Sequence, residues 1–388
     1  MEKISTLLLL LFSVTVFGQL KPGFDTKEVK YTIAMCNSYN FLTQYGTTKK
    51  LIPKEFDLVF TSDIISMDNK FQIYENGKIG VINYRGSTDK VISWVENCYS
   101  GMIPAKGEIS IKEEKKNYSF GDSTESAVHA GYALTIVLLS DKIIEQIKLL
   151  NKKGIYDIMI TGHSQGGALA TLTRAYLEHL PKGVLSKKNT YKTYVFASPM
   201  CGNEEFALEY DFKFSARNTS FSIVNPKDPV PYLPLHYNEG KLLSKSKVLG
   251  WVTGEERFSL QQLGKDALMK PLERKLTNFI KGSNALLSKI LSLKFGKIIL
   301  PEFAHDINYF PAGLKKELPP FEYPRLVLNK KDLENVKLST IEEIDGKWYK
   351  KEPSFFQHKP YNYYVGILRL YDSKSYDKLK DKYLVTDI

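Results

Sequence analysis

Ile158-Met159-Ile160-Thr161-Gly162-His163-Ser164-Gln165-Gly166-Gly167-Ala168-Leu169-Ala170 is the stretch on which the fold turns. An apolar run that reads as a buried strand stops at Thr161, and a small-residue, helix-favouring run begins after Gly167. The G-x-S-x-G pattern from Gly162 to Gly166 therefore sits at a strand-to-helix turn, the context a nucleophile elbow requires. Glycines at 162 and 166 let neighbouring backbone approach and let the turn carry strain, which pushes the Ser164 hydroxyl out at the carboxyl end of the strand. The helix that follows points its N-terminus at the place where negative charge would develop. A Gly-rich βα turn whose serine only caps the helix has the same local sequence. The two readings separate on whether the chain also supplies an acid, a histidine and an oxyanion hole in the right order.

Outward from this stretch, the first eighteen residues are set apart. Lys3 gives a short positive start, Leu7 to Phe17 is an apolar and hydroxyl run, and Val16-Phe17-Gly18 suits cleavage before Gln19, so residues 1–18 are expected to be a signal peptide and the protein secreted or periplasmic. The run is too short to span a bilayer comfortably, and no later segment reads as a transmembrane helix. The chain has 388 residues and a formal charge of +11, with twelve Lys or Arg against four acids between 241 and 300. Such a run is usually a solvated face, but here it also suits transient binding to an anionic lipid interface; no nucleic-acid partner is expected. Three cysteines, Cys36, Cys98 and Cys201, permit at most one bridge.

Taken in order, Asp25 and Glu28 have capping-box spacing ahead of Val29, Ile33, Cys36 and Leu42, which predicts an amphipathic helix ending near Gly46. Phe71–Tyr74 and Lys78–Tyr84 flank Glu75-Asn76-Gly77 and predict a hairpin. Residues 95–125 lose periodicity and include an exposed Met102-Ile103-Pro104, which suits a lid or an irregular loop. Ser126–Lys153 reads as helix, Tyr156–Thr161 as strand, and Tyr191–Ala197 and Ser220–Val224 as two more strands. Strands alternating with helices call for an α/β domain with a mainly parallel sheet. Residues 19–320 form this domain, including a helical insertion at 241–300, and 321–388 reads as an extension packed on it, with a β-like aromatic run at Tyr363–Tyr371.

An acid is needed to orient a histidine. Asp228 in Asn225-Pro226-Lys227-Asp228-Pro229-Val230-Pro231 offers a carboxylate in a stiff loop just past a strand end, where it could also be only an Asx-turn residue. Of six histidines, His129 precedes the serine, His163 neighbours it and points away, His179 ends a helix, and His358 lies in the aromatic tail. His236 follows Asp228 too closely to leave the strand end and return, whereas His305 follows the insertion and can come back over the sheet edge. The order Ser164, Asp228, His305 is the order of an α/β hydrolase. For the oxyanion hole, the Gln165 N–H supplies one donor, and Ser87, after Arg85-Gly86 at a strand end, can supply the second.

The sequence at this point resembles the class 3 lipase family, the fungal-type triacylglycerol lipases and their bacterial and plant relatives. Tyr84-Arg85-Gly86-Ser87, Val128-His129-Ala130-Gly131-Tyr132, Gly162–Ala168, Phe196-Ala197-Ser198-Pro199, Gly202-Asn203 with Phe206, and Asn225–Pro231 occur in that family's order. The resemblance implies an α/β-hydrolase fold, Ser164 as nucleophile, Asp228 and His305 as its partners, Ser87 and Gln165 as the oxyanion hole, and His129-Ala130-Gly131 as a structural signature. It also implies a lid in the residues after Ser87. Met200-Cys201 departs from the family pattern, and the 241–300 insertion is long, leaving the shape of the acyl cleft open.

These readings imply hydrolysis of carboxylic esters of lipids through an acyl-enzyme, with no metal or organic cofactor. A phospholipase A1 or a short-chain or feruloyl-type esterase would use the same residues. A secreted hydrolase-like fold that binds without turnover is the reading from a different class.

Overall fold

The computed structural model describes residues 20–39, 51–88, 101–234, 296–306, 308–324, 327–329, 341–352 and 355–379, and the single positions 292, 333 and 382. The signal-peptide reading, most of the 241–300 insertion, His236 and Cys98 lie outside the described residues.

Helix α1 (Thr26–Ser38) is followed by strands β1 (Asp57–Thr61), β2 (Phe71–Glu75) and β3 (Ile79–Tyr84). Short strands β4 (Met102–Pro104), β5 (Lys106–Ile111), β6 (Glu114–Ser119) and β7 (Ala127–His129) lead into helix α2 (Ala130–Lys152). Then come β8 (Asp157–His163), α3 (Gln165–Glu178), β9 (Thr190–Phe196), α4 (Glu204–Tyr210) and β10 (Ser220–Val224), and later β11 (Ile298–Ile299) and β12 (Leu314–Glu317). The central sheet has seven strands in the order β1-β2-β3-β8-β9-β10-β12. Its first three strands pair antiparallel, and β3, β8, β9, β10 and β12 are parallel. This is the α/β-hydrolase arrangement, with helices on both faces.

Period-two alternation along β8 assigns the faces. Ile158 and Ile160 join the core under α2 and α3, while Met159 joins the core on the other face beneath α1. That second face is closed by helix α5 (Pro360–Tyr371), which packs against α1. The aromatic run at Tyr363–Tyr371 is thus helical rather than β-like. Pro360 stands at the first helical turn, and Tyr361, Tyr364, Val365 and Leu368 follow at helical spacing, all buried. Lys30 Nζ meets Asp372 Oδ2 at 2.7 Å and ties the two helices together.

Asp25 caps α1 as expected, accepting from the N–H groups of Lys27 and Glu28. The Glu28 carboxylate does something else. It pairs with the buried Lys192 ammonium at 2.6 Å and accepts from the Tyr194 hydroxyl at 2.7 Å, both on β9, so the helix N-terminus is pinned to the sheet. Burial pushes the Glu28 carboxyl up, and the Lys192 and Tyr194 hydrogen bonds oppose that shift.

The segment expected to be irregular is ordered from Gly101 onward. β4 pairs with β7, β5 and β6 form a hairpin, and β11 adds to it. Met102 and Ile103 are fully buried, so this pair is core and not an exposed apolar surface. Short alternating strands with charged outer residues, as in Lys106–Ser119, look aperiodic to a helix-scale window. Of the lid expected in the residues after Ser87, Thr88 is described and 89–100 lie outside the described residues.

Close packing at the elbow explains its glycines. A Cβ on Gly162 would stand 2.1 Å from the Gly166 carbonyl oxygen, and one on Gly166 would stand 2.6 Å from the Tyr84 carbonyl oxygen at the end of β3. Gly162→Ala should therefore lower the unfolding free energy in a urea titration by about 3 kcal/mol or more. Gly77→Ala, at φ +79 in open space on the hairpin turn, should cost only about 1 kcal/mol. Equal losses would mean that the elbow relaxes and is not close-packed.

Candidate active site

Ser164 lies between β8 and α3 with φ 58 and ψ −132, a strained conformation for a residue with a Cβ. Strain of this kind costs about 1–3 kcal/mol and survives only where surrounding structure enforces it. Here the Ser164 N–H donates to the Phe196 carbonyl at 2.9 Å, and the Ser164 carbonyl accepts from Gly167 N–H at 2.8 Å. The elbow is thereby locked to the end of β9 and to the first turn of α3.

The Ser164 hydroxyl meets His358 Nε2 at 2.9 Å, and His358 Nδ1 lies 2.9 Å and 3.0 Å from the two carboxylate oxygens of Asp228. A carboxylate can only accept, so Nδ1 carries the proton and Nε2 presents its lone pair to the serine. Asp228 is fully buried. Its Oδ1 also accepts from the Val230 N–H at 2.9 Å, and its Oδ2 from the Tyr363 hydroxyl at 2.7 Å. The Asx-turn role and the histidine-orienting role therefore coexist in one residue.

His305 is not part of this arrangement. It is exposed at a bend between β11 and β12, and His358 occupies the position expected of it. Both histidines follow Asp228 in the chain, so order alone does not separate them. In the sequence His358 reads only as part of the aromatic tail. It stands just before Pro360 at the start of α5, and recognising that helix is the signal that brings it to the sheet edge.

Tyr363 and Gln357 were not anticipated either. The Tyr363 hydroxyl accepts from the Asn225 N–H at 3.0 Å while donating to Asp228, and burial together with the Asp228 charge holds its phenol far above the ordinary range. Gln357 Oε1 accepts from Asn225 Nδ2 at 2.6 Å and from Phe321 N–H at 3.0 Å, and its Nε2 donates to the Phe321 carbonyl. Residues 356–363 are thus fastened to the loop after β10 beside Asp228 itself.

His163, the last residue of β8, faces α5. Its ring centroid lies 4.7 Å from that of His358 and 5.6 Å from that of Tyr363. Burial, and secondarily the neighbouring His358, hold its pKa well below 6.5.

The loop carrying Ser87 is anchored from below. Asp68, buried, pairs with Arg85 at 3.1 Å and accepts from Thr88 Oγ1 at 2.7 Å, bracketing Ser87 on both sides. A Cβ on Gly86 would stand 3.0 Å from the His163 carbonyl and 3.6 Å from Ser164 Cβ, so this loop lies directly beside the elbow. Gln165 begins α3 and is buried. His129 caps α2 through Nδ1 and stacks on Tyr132 at 3.8 Å, a structural role.

Cys36 and Cys201 are both buried free thiols and are not paired with each other. Among the described residues, Asp122, His179 and Glu209 come together in a grouping with metal-ligand chemistry. Lys213 Nζ lies 2.6 to 2.8 Å from all three and serves as their cation. A cavity of about 810 Å³ is walled in part by Met200, Leu208, Phe212, Val224, Pro231 and Tyr232, the last two from the loop that follows Asp228.

Residues 81–238 match the class 3 lipase family, so the likeness read from short motifs extends over one continuous stretch. Among curated proteins, the chain is 27% identical over 141 residues to a secreted mono- and diacylglycerol lipase of Fusarium solani, covering 34% of this chain and 39% of that protein. It is 36% identical over 99 residues to secreted mono- and diacylglycerol lipase A of Penicillium cyclopium, covering 25% and 29%. The chain spans less than half the length of the Fusarium protein. Among solved structures, a Rhizomucor miehei lipase propeptide complex aligns with TM-score 0.39 and 20% identity over 54% of this chain and 63% of that one. A lipase from Rhizopus microsporus var. chinensis aligns with TM-score 0.39 and 19% identity over 55% and 71%.

The neutral, buried His163 sets a pH dependence. Above pH 6.5 neither the folded nor the unfolded chain protonates it, and its contribution is complete. Below pH 6.5 the unfolded chain takes up a proton that the folded chain refuses, so stability falls as pH drops, by up to about 1.4 kcal/mol per pH unit. His163→Phe should flatten the slope of unfolding free energy against pH on the acid side, measured by urea titrations. Identical slopes in the two proteins would show that His163 titrates normally.

Proposed function

We propose that the protein is an exported serine hydrolase that cleaves carboxylic esters of lipids, acylglycerols foremost, through an acyl-enzyme on Ser164. The observation that carries this reading is the continuous hydrogen-bonded path from Ser164 Oγ to His358 Nε2 and from His358 Nδ1 to buried Asp228, mounted on a strained elbow. His358 takes the Ser164 proton as the hydroxyl attacks the ester carbonyl, and Asp228 stabilises the imidazolium that forms. His358 then returns the proton to the leaving alcohol. Water, activated by the same histidine, attacks the acyl-enzyme and releases the acid.

Negative charge on the carbonyl oxygen would be met by the Gln165 N–H at the start of α3 and by Ser87 in the loop held by Asp68. The proximity of Gly86 to the elbow supports the second assignment. An apolar substrate is supported by the names of the relatives and by the largely apolar wall of the cavity beside the Asp228 loop. No helix among the described residues is long and apolar enough to cross a membrane. Export rests on the N-terminal sequence and on the relatives being named secreted proteins.

Hydrolysis of p-nitrophenyl esters from acetyl to palmitoyl tests the reading. Activity is expected to rise with chain length, and Ser164→Ala and His358→Ala should each lower kcat by about a thousandfold or more. His305→Ala should stay within about twofold of wild type. Preference for the shortest esters would move the assignment to an esterase, and loss of activity in His305→Ala with His358→Ala intact would reverse the histidine assignment. A folded wild type with no activity on any ester would favour a binding protein on this fold.

A further inference from the structure

His163 leaves a polar atom in an awkward place. Its side chain is 5% exposed, and its Nε2 is buried without a hydrogen-bond partner. Phenylalanine would fill the same space against the His358 and Tyr363 rings without burying a bare nitrogen, and a bare buried acceptor costs stability. The ring does make one hydrogen bond, to the main chain of His358. With Nε2 unpartnered, that bond comes from Nδ1, which donates to the His358 carbonyl. The residue adjoining the elbow serine thus grips the backbone of the residue whose side chain Ser164 engages.

We propose that His163 is a positioning residue for His358, its ring N–H holding the His358 carbonyl and its ring face packed against the His358 imidazole so that Nε2 stays in line with Ser164 Oγ. The inference rests on reading Ser164 and His358 as the reacting pair. Three fastenings then fix His358: its carbonyl to His163, its Nδ1 to Asp228 and its Nε2 to Ser164. Two of them come from consecutive residues of one strand end. Any small movement of β8 therefore carries nucleophile and histidine together. Alternation along β8 makes this available, since His163 shares the α1 and α5 face with Met159 and Thr161 while Ser164 turns off the strand end.

The test compares wild type, His163→Phe and His163→Asn with a p-nitrophenyl ester and with a fluorophosphonate that labels reactive serines. Asparagine places an amide N–H near the position of Nδ1–H, whereas phenylalanine keeps the packing and loses the donor. His163→Phe should lower kcat by about tenfold or more with KM unchanged, and slow labelling in parallel, while remaining folded in thermal melts. His163→Asn should recover most of the loss. Wild-type kcat in His163→Phe, or His163→Asn as slow as His163→Phe, overturns the inference and leaves the functional reading standing. A wild type that neither hydrolyses the ester nor takes the label overturns the functional reading and this inference with it.

Discussion

A carboxylate with no exposed surface holds the two halves of the site together. Asp228 leaves water completely, and an uncompensated buried charge of this kind would cost several kcal/mol. Donors from three places meet it: the Val230 N–H of its own loop, the imidazole of His358 and the phenol of Tyr363. The first comes with the turn after β10. The other two come from α5 and its approach, so the acid is buried with partners because α5 is there. Charge-assisted hydrogen bonds of this type are the strong ones, and the low-dielectric surroundings that make the bare acid costly also strengthen each of them.

Around that centre, the elbow depends on backbone meeting backbone. Gly162, Gly166 and Gly86 each stand where a Cβ would strike a neighbouring main-chain oxygen. Side chains add little there. What keeps β3, β8 and the start of α3 at this distance is the pairing of the parallel strands and, on the far side of Ser87, the buried Asp68 with Arg85 and Thr88. Breaking a buried pair by removing one partner leaves the other uncompensated, so Asp68 constrains the loop more firmly than an exposed ion pair would.

Much of this was legible in the residues because local rules and the global fold agree there. The strand into Thr161, the elbow glycines and the strands at 190–196 and 220–224 each carry their own pattern and lie where the pattern puts them. The histidine was not legible in the same way. Ser-Asp-His order constrains topology and not distance along the chain, and it admits His305 and His358 equally. The aromatic run at Tyr363–Tyr371 reads as β-like because aromatic and β-branched residues favour strands as isolated residues. Pro360 at the first turn and the spacing of the buried side chains outweigh that preference only once α1 is present to pack against. Met102 and Ile103 fail for a related reason, since a three-residue strand has too few positions to display a period.

That His358 comes 130 positions after Asp228 bears on biogenesis. The sheet from β1 to β10 and the strained serine precede it in the chain, and every earlier intermediate on the way out of the ribosome lacks the ring that Ser164 Oγ meets. Burial of the acid and assembly of the hydrogen-bonded path become one event, the docking of α5 and the residues just before it. A chain lacking Gln357 and the residues beyond it would keep the strained Ser164 and lose both the ring that Ser164 Oγ meets and the phenol that covers Asp228, so one segment carries the geometry of the site and the burial of its acid together.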